Sequence, residues 1–220
     1  MSQQRFGLNI GTHNIAISSI DSRLVIVEKN AIAIRDKKYV VAYGNAAWDI
    51  YEKTPENVEV ILPVKNSVIS DPGKQEIVLE GLFKKLNNGK LIKGCEFLIG
   101  VPTDTTEVEK RAFHELVANS KLRPRSISVM ENAVADSIDC GISPDSTKGS
   151  MIVNIGADST DISVISTGGI VLSKTLKFGG NRFNELIISA ISLESGKLIG
   201  MKSAEQLKIE LADLDGTSSE

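Results

Sequence analysis

The sequence predicts an α/β protein built from two related halves, and three observations support this expectation. Residues 8–20 and 153–165 align without a gap, with Asn, Ile, Gly, Ile, Ser and Ile recurring at equal offsets. Strand and helix patterns alternate between and after these two copies. The 220 residues, 41% hydrophobic and 24% charged, are enough for one large domain or two small ones.

Composition and charge argue against several classes of protein. The 25 Lys and Arg residues are offset by 28 Asp and Glu, and aromatic residues make up only 5% of the chain, so nucleic acid is not an expected partner. Apolar runs are far shorter than the ~18 residues of a membrane-spanning helix. The polar N-terminus predicts no signal peptide, and Cys95 and Cys140 are expected to be buried, reduced thiols. These features favour a cytoplasmic location.

Each copy of the repeat predicts a strand, a tight turn opened by glycine and a second strand. Such a turn presents consecutive backbone N–H groups to an anion, and glycine lets the backbone approach a phosphate closely. For either turn alone, an ordinary hairpin is the better interpretation. Because the turn is repeated without a gap, the sequence favours two facing loops that share a binding function, such as holding the phosphates of a nucleotide.

The segment between the two copies contains both strand and helix signals. Short strands at 31–34 and 39–42, followed by a polar, irregular stretch at 48–60, predict a small insertion. A helix over 74–86 and a buried strand over 96–101 follow.

A second helix is predicted after the strand at 96–101, because Thr106 and Glu109 form a capping box. Its apolar stripe is predicted to comprise Val108, Ala112, Leu116 and Val117. A strand over 127–130 and a short helix over 132–139 complete the first half, and the polar stretch 142–150 is the best candidate boundary.

The second half continues from its hairpin into a strand over 170–178, which ends at Gly179 and Gly180. The helix that follows has one apolar side, comprising Phe183, Leu186, Ile187, Ala190 and Ile191. Ser203 and Gln206 predict a second capping box before the last helix, and the tail 213–220 is polar and expected to fray.

Several motifs in order resemble the bacterial actin family of the MreB and MamK type, within the superfamily of actins, heat-shock chaperone ATPases and sugar kinases. They are Asn9-Ile10-Gly11-Thr12, Ile99-Gly100-Val101-Pro102, Val153-Asn154-Ile155-Gly156, Gly168-Gly169-Ile170-Val171, Gly179-Gly180 and Ala204-Glu205-Gln206-Leu207-Lys208-Ile209-Glu210. The resemblance implies an actin-like (ribonuclease H-like) fold with two related domains, the second incomplete. Residues 1–31 and 62–145 would form the first domain, 32–61 a small insertion subdomain and 146–220 part of the second. The family's second half continues into a glycine-rich loop over the adenine, and the chain is expected to stop before it.

The resemblance also implies a nucleotide site. The first hairpin would be phosphate loop one, the second would be phosphate loop two, and Glu205 with Lys208 would lie beside the adenosine. The residues expected to bind nucleotide are Asn9, Gly11, Thr12, His13, Asn14, Asn154, Gly156, Ala157, Asp158, Ser159, Gly179, Gly180, Glu205 and Lys208. Without the resemblance, Glu205 and Lys208 would be interpreted as an exposed helical charge pair.

The sequence departs from the family pattern where metal chemistry takes place. Asn9, Asn154 and Asn181 stand where the family has aspartates, and Asn9 and Asn154 are the candidate metal residues. Mg²⁺ is held through carboxylates and water, so these exchanges remove negative charge around it. The family's water-activating glutamate aligns with Asn132, whose amide cannot act as a general base. Glu131 is adjacent, but a shift of one residue on a helix turns a side chain by about 100°, so it is a poor substitute.

Other side chains of the loops also affect binding. Asp158 in the second turn places a carboxylate beside the expected phosphates and should repel them. His13 lies in the first turn, where a phosphate contact is possible but an exposed turn histidine is the stronger interpretation. His114 is expected on the polar side of its helix.

The leading hypothesis is an actin-like cytoskeletal filament protein with a degraded nucleotide site, which binds ATP and Mg²⁺ weakly or not at all. It would assemble with itself or with a related actin-like protein. One alternative is an active filament-forming ATPase in which Asn9 and Asn154 hold Mg²⁺ through water. Another is a non-polymerising regulator of an actin-like partner. Since relatives of the MreB type bind the inner membrane surface, that surface is a further candidate partner.

Overall fold

The computed structural model describes residues 4–143 and 145–213 as thirteen strands and six helices. The strands are β1 (Arg5–Ile10), β2 (Asn14–Ser19), β3 (Leu24–Lys29), β4 (Ile32–Arg35), β5 (Tyr39–Tyr43), β6 (Val58–Ile61), β7 (Val64–Lys65), β8 (Val68–Ile69), β9 (Glu96–Val101), β10 (Ser126–Glu131), β11 (Ser150–Ile155), β12 (Thr160–Ser166) and β13 (Gly169–Leu176). The helices are α1 (Asn45–Asp49), α2 (Pro72–Leu86), α3 (Glu107–Ala118), α4 (Asn132–Asp139), α5 (Gly180–Ser195) and α6 (Met201–Leu211).

The first sheet has the strand order β10-β9-β1-β2-β3. β1 runs antiparallel to β2 and parallel to β9, which pairs in parallel with β10. Alternate side chains of β1 face the core, where Phe6, Leu8 and Ile10 are 4%, 3% and 3% exposed.

Helices α2 and α3 contribute to the core of this sheet. The N-cap of α2 is Asp71, which accepts from the backbone N–H of Lys74 at 3.0 Å, and the ring centroids of Phe83 and Phe6 lie 5.1 Å apart. The predicted Thr106–Glu109 capping box is confirmed at the start of α3. The prediction for Val108 is wrong, because it is 78% exposed at the first turn, while Phe113 faces inward.

The insertion forms a three-stranded sheet, β5-β4-β6, with the short helix α1. Its small core contains Ala31, Ala33, Ala47 and Trp48. The stretch 48–60 is less irregular than predicted, since it contains the end of α1 and most of β6. The two-residue strands β7 and β8 form a further hairpin that the sequence analysis did not identify.

The second sheet, β11-β12-β13, repeats part of the first. Leu8 pairs with Ile17 between β1 and β2, and Val153 pairs with Ile162 between β11 and β12, so the aligned residues of the two copies share one register. The predicted pair of hairpins is therefore present. β3 occupies the place in the first sheet that β13 has in the second, and it was not predicted as a strand. Helix α4 supplies Ala133 to a core cluster with Ile152 and Ile165 on one face of this sheet.

Helices α5 and α6 follow the second sheet. Phe183 and Leu186 on the predicted apolar side of α5 are 43% and 49% exposed, and Asn184 is the buried residue of this helix. The predicted capping box at Ser203 and Gln206 is wrong, because the N-cap of α6 is Gly200 and Ser203 lies inside the helix. The helix is capped instead by a carboxylate from the insertion, described below.

The proposed domain boundaries after residues 31, 61 and 145 stay predictions, as does the fraying of the tail, which lies outside the described residues beyond Asp213. Cys95 is buried as expected, whereas Cys140 is exposed at the end of α4, so the prediction for Cys140 is wrong. Within the described residues, no helix is long and apolar enough to cross a membrane.

Candidate functional site

The two glycine-opened turns have the same local geometry. Gly11 N donates to Asn14 O at 2.9 Å, and Gly156 N donates to Ser159 O at 2.8 Å. A β-carbon added at either glycine would lie 3.1 Å from the carbonyl oxygen that accepts this bond, which is tight for any side chain. The repeat in sequence is thus also a repeat in backbone structure.

The two turns face each other across a cavity of about 200 Å³. Ten of the predicted binding residues line this cavity together: Asn9, Gly11, Thr12, His13, Asn14, Asn154, Gly156, Ala157, Asp158 and Ser159. Asn132 also lines it. The structure therefore brings together residues that are about 145 positions apart in the two halves.

A neighbouring cavity of about 440 Å³ extends from the turns towards α5 and α6. The two cavities share His13, Asn14, Gly156 and Ala157, and the second also contacts Gly180, Glu205 and Lys208. Asn184 lines it too, with a buried side-chain oxygen that has no hydrogen-bond partner.

Gly179 is required by the close approach of α5 to the second turn. A β-carbon at Gly179 would lie 2.7 Å from the carbonyl oxygens of both Gly156 and Ala157. The next two backbone N–H groups, of Gly180 and Asn181, donate to these same oxygens at 2.9 and 2.8 Å. The start of α5 is thus joined to the second turn by its own free N–H groups.

Both carboxylate oxygens of Asp158 accept hydrogen bonds. Its Oδ1 accepts from Asn181 Nδ2 at 2.7 Å, and its Oδ2 accepts from the backbone N–H of Asn66 at 2.7 Å. The hydroxyl groups of Ser67 and Ser159 are 2.8 Å apart. Asn66 and Ser67 form the turn between β7 and β8, so this hairpin of the first half bridges the cavity to the second turn. Sequence reasoning missed both residues, although a turn-forming Asn between apolar pairs was a usable signal.

Asn154 is paired with an acidic residue of α4. Its side-chain amide donates to Asp136 Oδ2 at 2.7 Å. Burial raises the pKa of Asp136, and the nearby carboxylates of Asp161 and Asp139 raise it further, while the bond from Asn154 opposes the shift. Asp136 is a site residue that sequence reasoning missed, because its partner lies on another element.

The side chains of Asn132 and Glu131 lie in different surroundings. Gly100 makes room for Asn132, since a β-carbon there would lie 2.3 Å from Asn132 Oδ1. Glu131 accepts from Lys110 Nζ at 3.0 Å and is not among the described residues that line either cavity. The geometry agrees with the expectation that Glu131 is a poor substitute for a glutamate at position 132.

His13 is not the exposed turn histidine that the sequence favoured. Its side chain is 11% exposed, and its ring centroid lies 5.3 Å from that of Trp48. Burial lowers the pKa of His13 below its usual 6.5, and Lys29 also lowers it, while Glu205 at 4.0 Å opposes the shift. The reason for the difference is the insertion, which covers the first turn.

Glu205 and Lys208 each have a partner on another element, so the interpretation as an exposed helical pair is wrong. Glu205 Oε1 lies 3.9 Å from Lys29 Nζ. Lys208 Nζ donates to the carbonyl oxygen of Gly180 at 3.1 Å. Both side chains line the second cavity, with their charged groups already paired or bonded.

The insertion also holds the start of α6. Glu52 accepts from the backbone N–H groups of Met201 and Lys202 at 2.7 and 3.4 Å, which caps the positive end of the helix. Lys202 Nζ donates to Trp48 O at 3.1 Å. These contacts connect the insertion to the start of α6.

The cavity between the turns suits a phosphate better than it suits a metal ion. Its glycine turns offer backbone N–H groups, but Asn9, Asn132 and Asn154 present amides where a metal centre needs charge. Asp158 is engaged as described, and Asp161 accepts from the hydroxyl group of Thr175. No group of three or more His, Cys, Asp or Glu in 4–143 and 145–213 is placed to hold a metal ion. The side chains present do not fit a Mg²⁺ ion that is held directly by carboxylates.

Comparison with known proteins connects this architecture to one family. The family model described as MreB/Mbl protein matches residues 3–220. The cell shape-determining protein MreB of Escherichia coli is 32% identical over 217 residues, which cover 96% of this chain and 62% of that protein. The chain therefore spans less than two thirds of the length of this relative.

Solved structures confirm the predicted fold. The crystal structure of MreB 5 of Spiroplasma citri bound to AMPPNP superposes with a TM-score of 0.92 at 26% identity, and covers 100% of this chain and 66% of its own. The MamK double helical filament matches with a TM-score of 0.77 at 18% identity over 95% of this chain and 65% of its own, which is a likeness of fold alone. With an actin-like α/β fold and a family match along nearly its whole length, the chain belongs to the MreB/Mbl family.

Proposed function

We propose that this chain is an actin-like cytoskeletal protein that assembles with itself or with a related actin-like chain, and that its nucleotide site is degraded. It binds ATP weakly and does not hydrolyse it at the rate of an intact site. The observation that carries the proposal is the trio of amides, Asn9, Asn132 and Asn154, that lines the cavity between the turns.

Loss of hydrolysis follows from the chemistry of an amide. Asparagine takes up no proton near neutral pH, so Asn132 cannot activate water. The nearest alternative carboxylate along the chain, Glu131, is ion-paired with Lys110. Asn9 and Asn154 have no charge with which to attract Mg²⁺, and the amide nitrogen of Asn154 is bonded to Asp136.

Weak binding follows from charge and from contacts within the protein. The carboxylate of Asp158 lies in the turn that would meet a phosphate, where like charges repel. Glu205 is paired with Lys29, so a nucleotide would have to compete with contacts that α6 already makes.

Exposed edge strands support the proposed assembly. β3 is the outer strand of the first sheet, and Leu24, Val25 and Val27 are 44%, 64% and 57% exposed. On β5, the outer strand of the insertion, Tyr39 and Val41 are 53% and 49% exposed. Apolar edge strands readily pair with another chain. Location in the cytoplasm and attachment to an inner membrane surface stay predictions.

The test combines three measurements on the purified 220-residue chain: ATP binding by calorimetry, phosphate release with and without Mg²⁺, and sedimentation. The proposal predicts weak binding, no Mg²⁺-dependent turnover and a pelletable protein. The Asn132→Glu variant restores the missing carboxylate, and Asn119→Glu at the exposed end of α3 is the control for added charge. Turnover that disappears in Glu131→Ala would contradict the degraded site. Protein that stays in the supernatant under all conditions would contradict assembly.

An active ATPase is the second candidate, and one observation favours it. Both glycine turns keep the same hydrogen bond and the same tight approach, so the backbone cradle for phosphates is intact. The similar S. citri protein is described as bound to AMPPNP. In this alternative Asn9 and Asn154 hold Mg²⁺ through water, and Mg²⁺-dependent turnover by the unmodified chain would establish it.

A further inference from the structure

The second turn is joined to the first half of the chain at two consecutive residues. Asp158 Oδ2 accepts from the backbone N–H of Asn66 at 2.7 Å, and the hydroxyl groups of Ser159 and Ser67 are 2.8 Å apart. In both pairs the partners are 92 positions apart in sequence. Because residues 66 and 67 are the tip of the β7–β8 hairpin, one short hairpin connects the two halves beside the cavity.

The hairpin that carries Asn66 is held at its base by the core of the first half. Val64 of β7 and Ile69 of β8 are 0% and 9% exposed and belong to this core. The carbonyl oxygen of Pro63 accepts from the backbone N–H of Ser70 at 2.9 Å, just outside the two strands. The tip residues 66 and 67 have left-handed backbone, with φ of 49° and 62°. The N–H of Asn66 is therefore a donor with a fixed position.

The residue at 181 is matched to the carboxylate at 158. Asn181 Nδ2 donates to Asp158 Oδ1 at 2.7 Å, at the position where the family pattern has an aspartate. An aspartate at 181 would bring two carboxylates within hydrogen-bond distance of each other. The amide at 181 thus suits an aspartate at 158, and it links the second turn to the start of α5.

The surroundings of the Asp158 carboxylate are those of a bound anion. Each oxygen accepts from a nitrogen at 2.7 Å, a distance typical of hydrogen bonds to a charged acceptor. One donor is a backbone N–H and the other is a side-chain amide, and the glycine-opened second turn lies beside them. Donors of this kind also bind the oxygens of a phosphate. The carboxylate therefore occupies two donors that an entering anion could use.

We propose that Asp158 is a built-in anion that clasps the two halves of the chain together in the place of a bound phosphate. Because the carboxylate belongs to the same chain, its effective concentration at Asn66 is high, and the clasp forms without a ligand. A phosphate reaches the N–H of Asn66 only by displacing the carboxylate. The inference goes beyond the proposed function, because this contact needs neither a nucleotide nor a second chain.

Amide hydrogen exchange at Asn66, resolved by NMR in the nucleotide-free 220-residue chain, tests the clasp. We expect slow exchange in the unmodified chain and exchange at least about tenfold faster in Asp158→Ala, which removes both acceptor oxygens. Asp158→Asn keeps one acceptor oxygen and the side-chain volume, so its rate should lie between the two. The matched control is Asp161→Asn, which removes a carboxylate of the same cavity that bonds to Thr175, and it should leave exchange at Asn66 unchanged.

Inorganic phosphate is the probe for the anion site that Asp158→Ala opens. In this variant, millimolar phosphate should return exchange at Asn66 towards the slow rate of the unmodified chain, whereas chloride at the same ionic strength should not. In the unmodified chain, phosphate should change the rate by less than about twofold, because the carboxylate already holds both donors.

Three outcomes would overturn the proposal. The first is exchange at Asn66 in the unmodified chain that is as fast as in an unfolded peptide, a result that needs no variant. The second is an equal rate in the unmodified chain and in Asp158→Ala, or in Asp158→Asn if the alanine variant fails to fold. The third is an Asp158→Ala chain whose exchange responds to phosphate and chloride alike, which would show that no anion site is present. ATP binding and turnover, which test the proposed function, enter none of these outcomes.

Discussion

The side-chain amide of Asn154 donates a hydrogen bond to Asp136 Oδ2 over 2.7 Å, and this contact joins β11 to α4. Burial raises the pKa of Asp136, and the nearby Asp161 and Asp139 add to the effect. An aspartate at position 154 would bring a second carboxylate within hydrogen-bond distance of the first. The carboxylate that the family pattern expects at 154 is therefore unfavourable while Asp136 is present.

The first prediction tests the hydrogen bond between Asn154 and Asp136. Asn154→Asp should lower the free energy of unfolding at pH 7 by about 1–3 kcal/mol, because it replaces a hydrogen bond with repulsion between carboxylates. The double variant Asp136→Asn with Asn154→Asp restores one amide and one carboxylate, and should recover most of the loss. Urea denaturation measures all three proteins. Additive losses in the double variant would show that the two residues do not interact.

The second prediction concerns pH and His13. Because burial lowers its pKa, the folded protein takes up a proton less readily than the unfolded chain, whose histidine titrates near 6.5. The free energy of unfolding should therefore fall as the pH drops through 6.5, until the lowered pKa is passed. Urea titrations at several pH values between 5 and 8 measure this slope.

Three variants test whether His13 causes this pH dependence. His13→Gln should reduce the slope, and His114→Gln serves as the matched control because that side chain is exposed on α3. Glu205→Gln removes a nearby negative charge and should lower the pKa of His13 further, which an NMR titration can follow. If the unfolding free energy of His13→Gln changes with pH as steeply as that of the unmodified chain, another titrating group causes the pH dependence.

The third prediction concerns Asp158. Asp158→Asn keeps the side-chain volume but removes the charge from the second turn, so ATP should bind about five- to tenfold more tightly. Calorimetry on the variant and the unmodified chain measures the change. The control is Asp49→Asn, which removes the same negative charge from an exposed position on α1. Equal affinities in all three proteins would mean that Asp158 does not repel the phosphates.

The fourth prediction tests the contact between the second turn and α5. Gly179→Ala places a β-carbon 2.7 Å from two carbonyl oxygens, so the chain must shift, and we expect a loss of about 1–3 kcal/mol in unfolding free energy. Gly149→Ala is the matched control, since its β-carbon would meet only Val164 at an ordinary 3.6 Å. Similar thermal melting of the two variants would contradict the close approach.

The fifth prediction separates two candidate caps of α6. Glu52→Ala removes the carboxylate that accepts from Met201 N and Lys202 N, and should lower the unfolding free energy by about 0.5–1 kcal/mol. Ser203→Ala should change it by less than about 0.5 kcal/mol, because Ser203 lies inside the helix. The reverse ranking in urea denaturation would restore the capping box that the sequence suggested.

Local patterns accounted for much of the fold. The repeat, the two hairpins, helices α2 and α3 and the Thr106 cap depend on residues that are close in sequence, so their signals survive in a single chain. The errors at His13 and Ser203 share one cause. His13 depends on Trp48 and the start of α6 on Glu52, which are neighbours from distant segments.

In the candidate site too, some features follow from local sequence and others from contacts between distant segments. The two turns, their repetition and the amides at 9, 132 and 154 are all visible in the amino-acid sequence. Contacts between distant segments are not: Asn66 and Ser67 bridge to the second turn, Asp136 bonds to Asn154, and Met151 and Val153 are exposed while Phe6 and Leu8 are buried. A residue's type sets which contacts it can make, whereas its burial and partners depend on which distant elements pack against it.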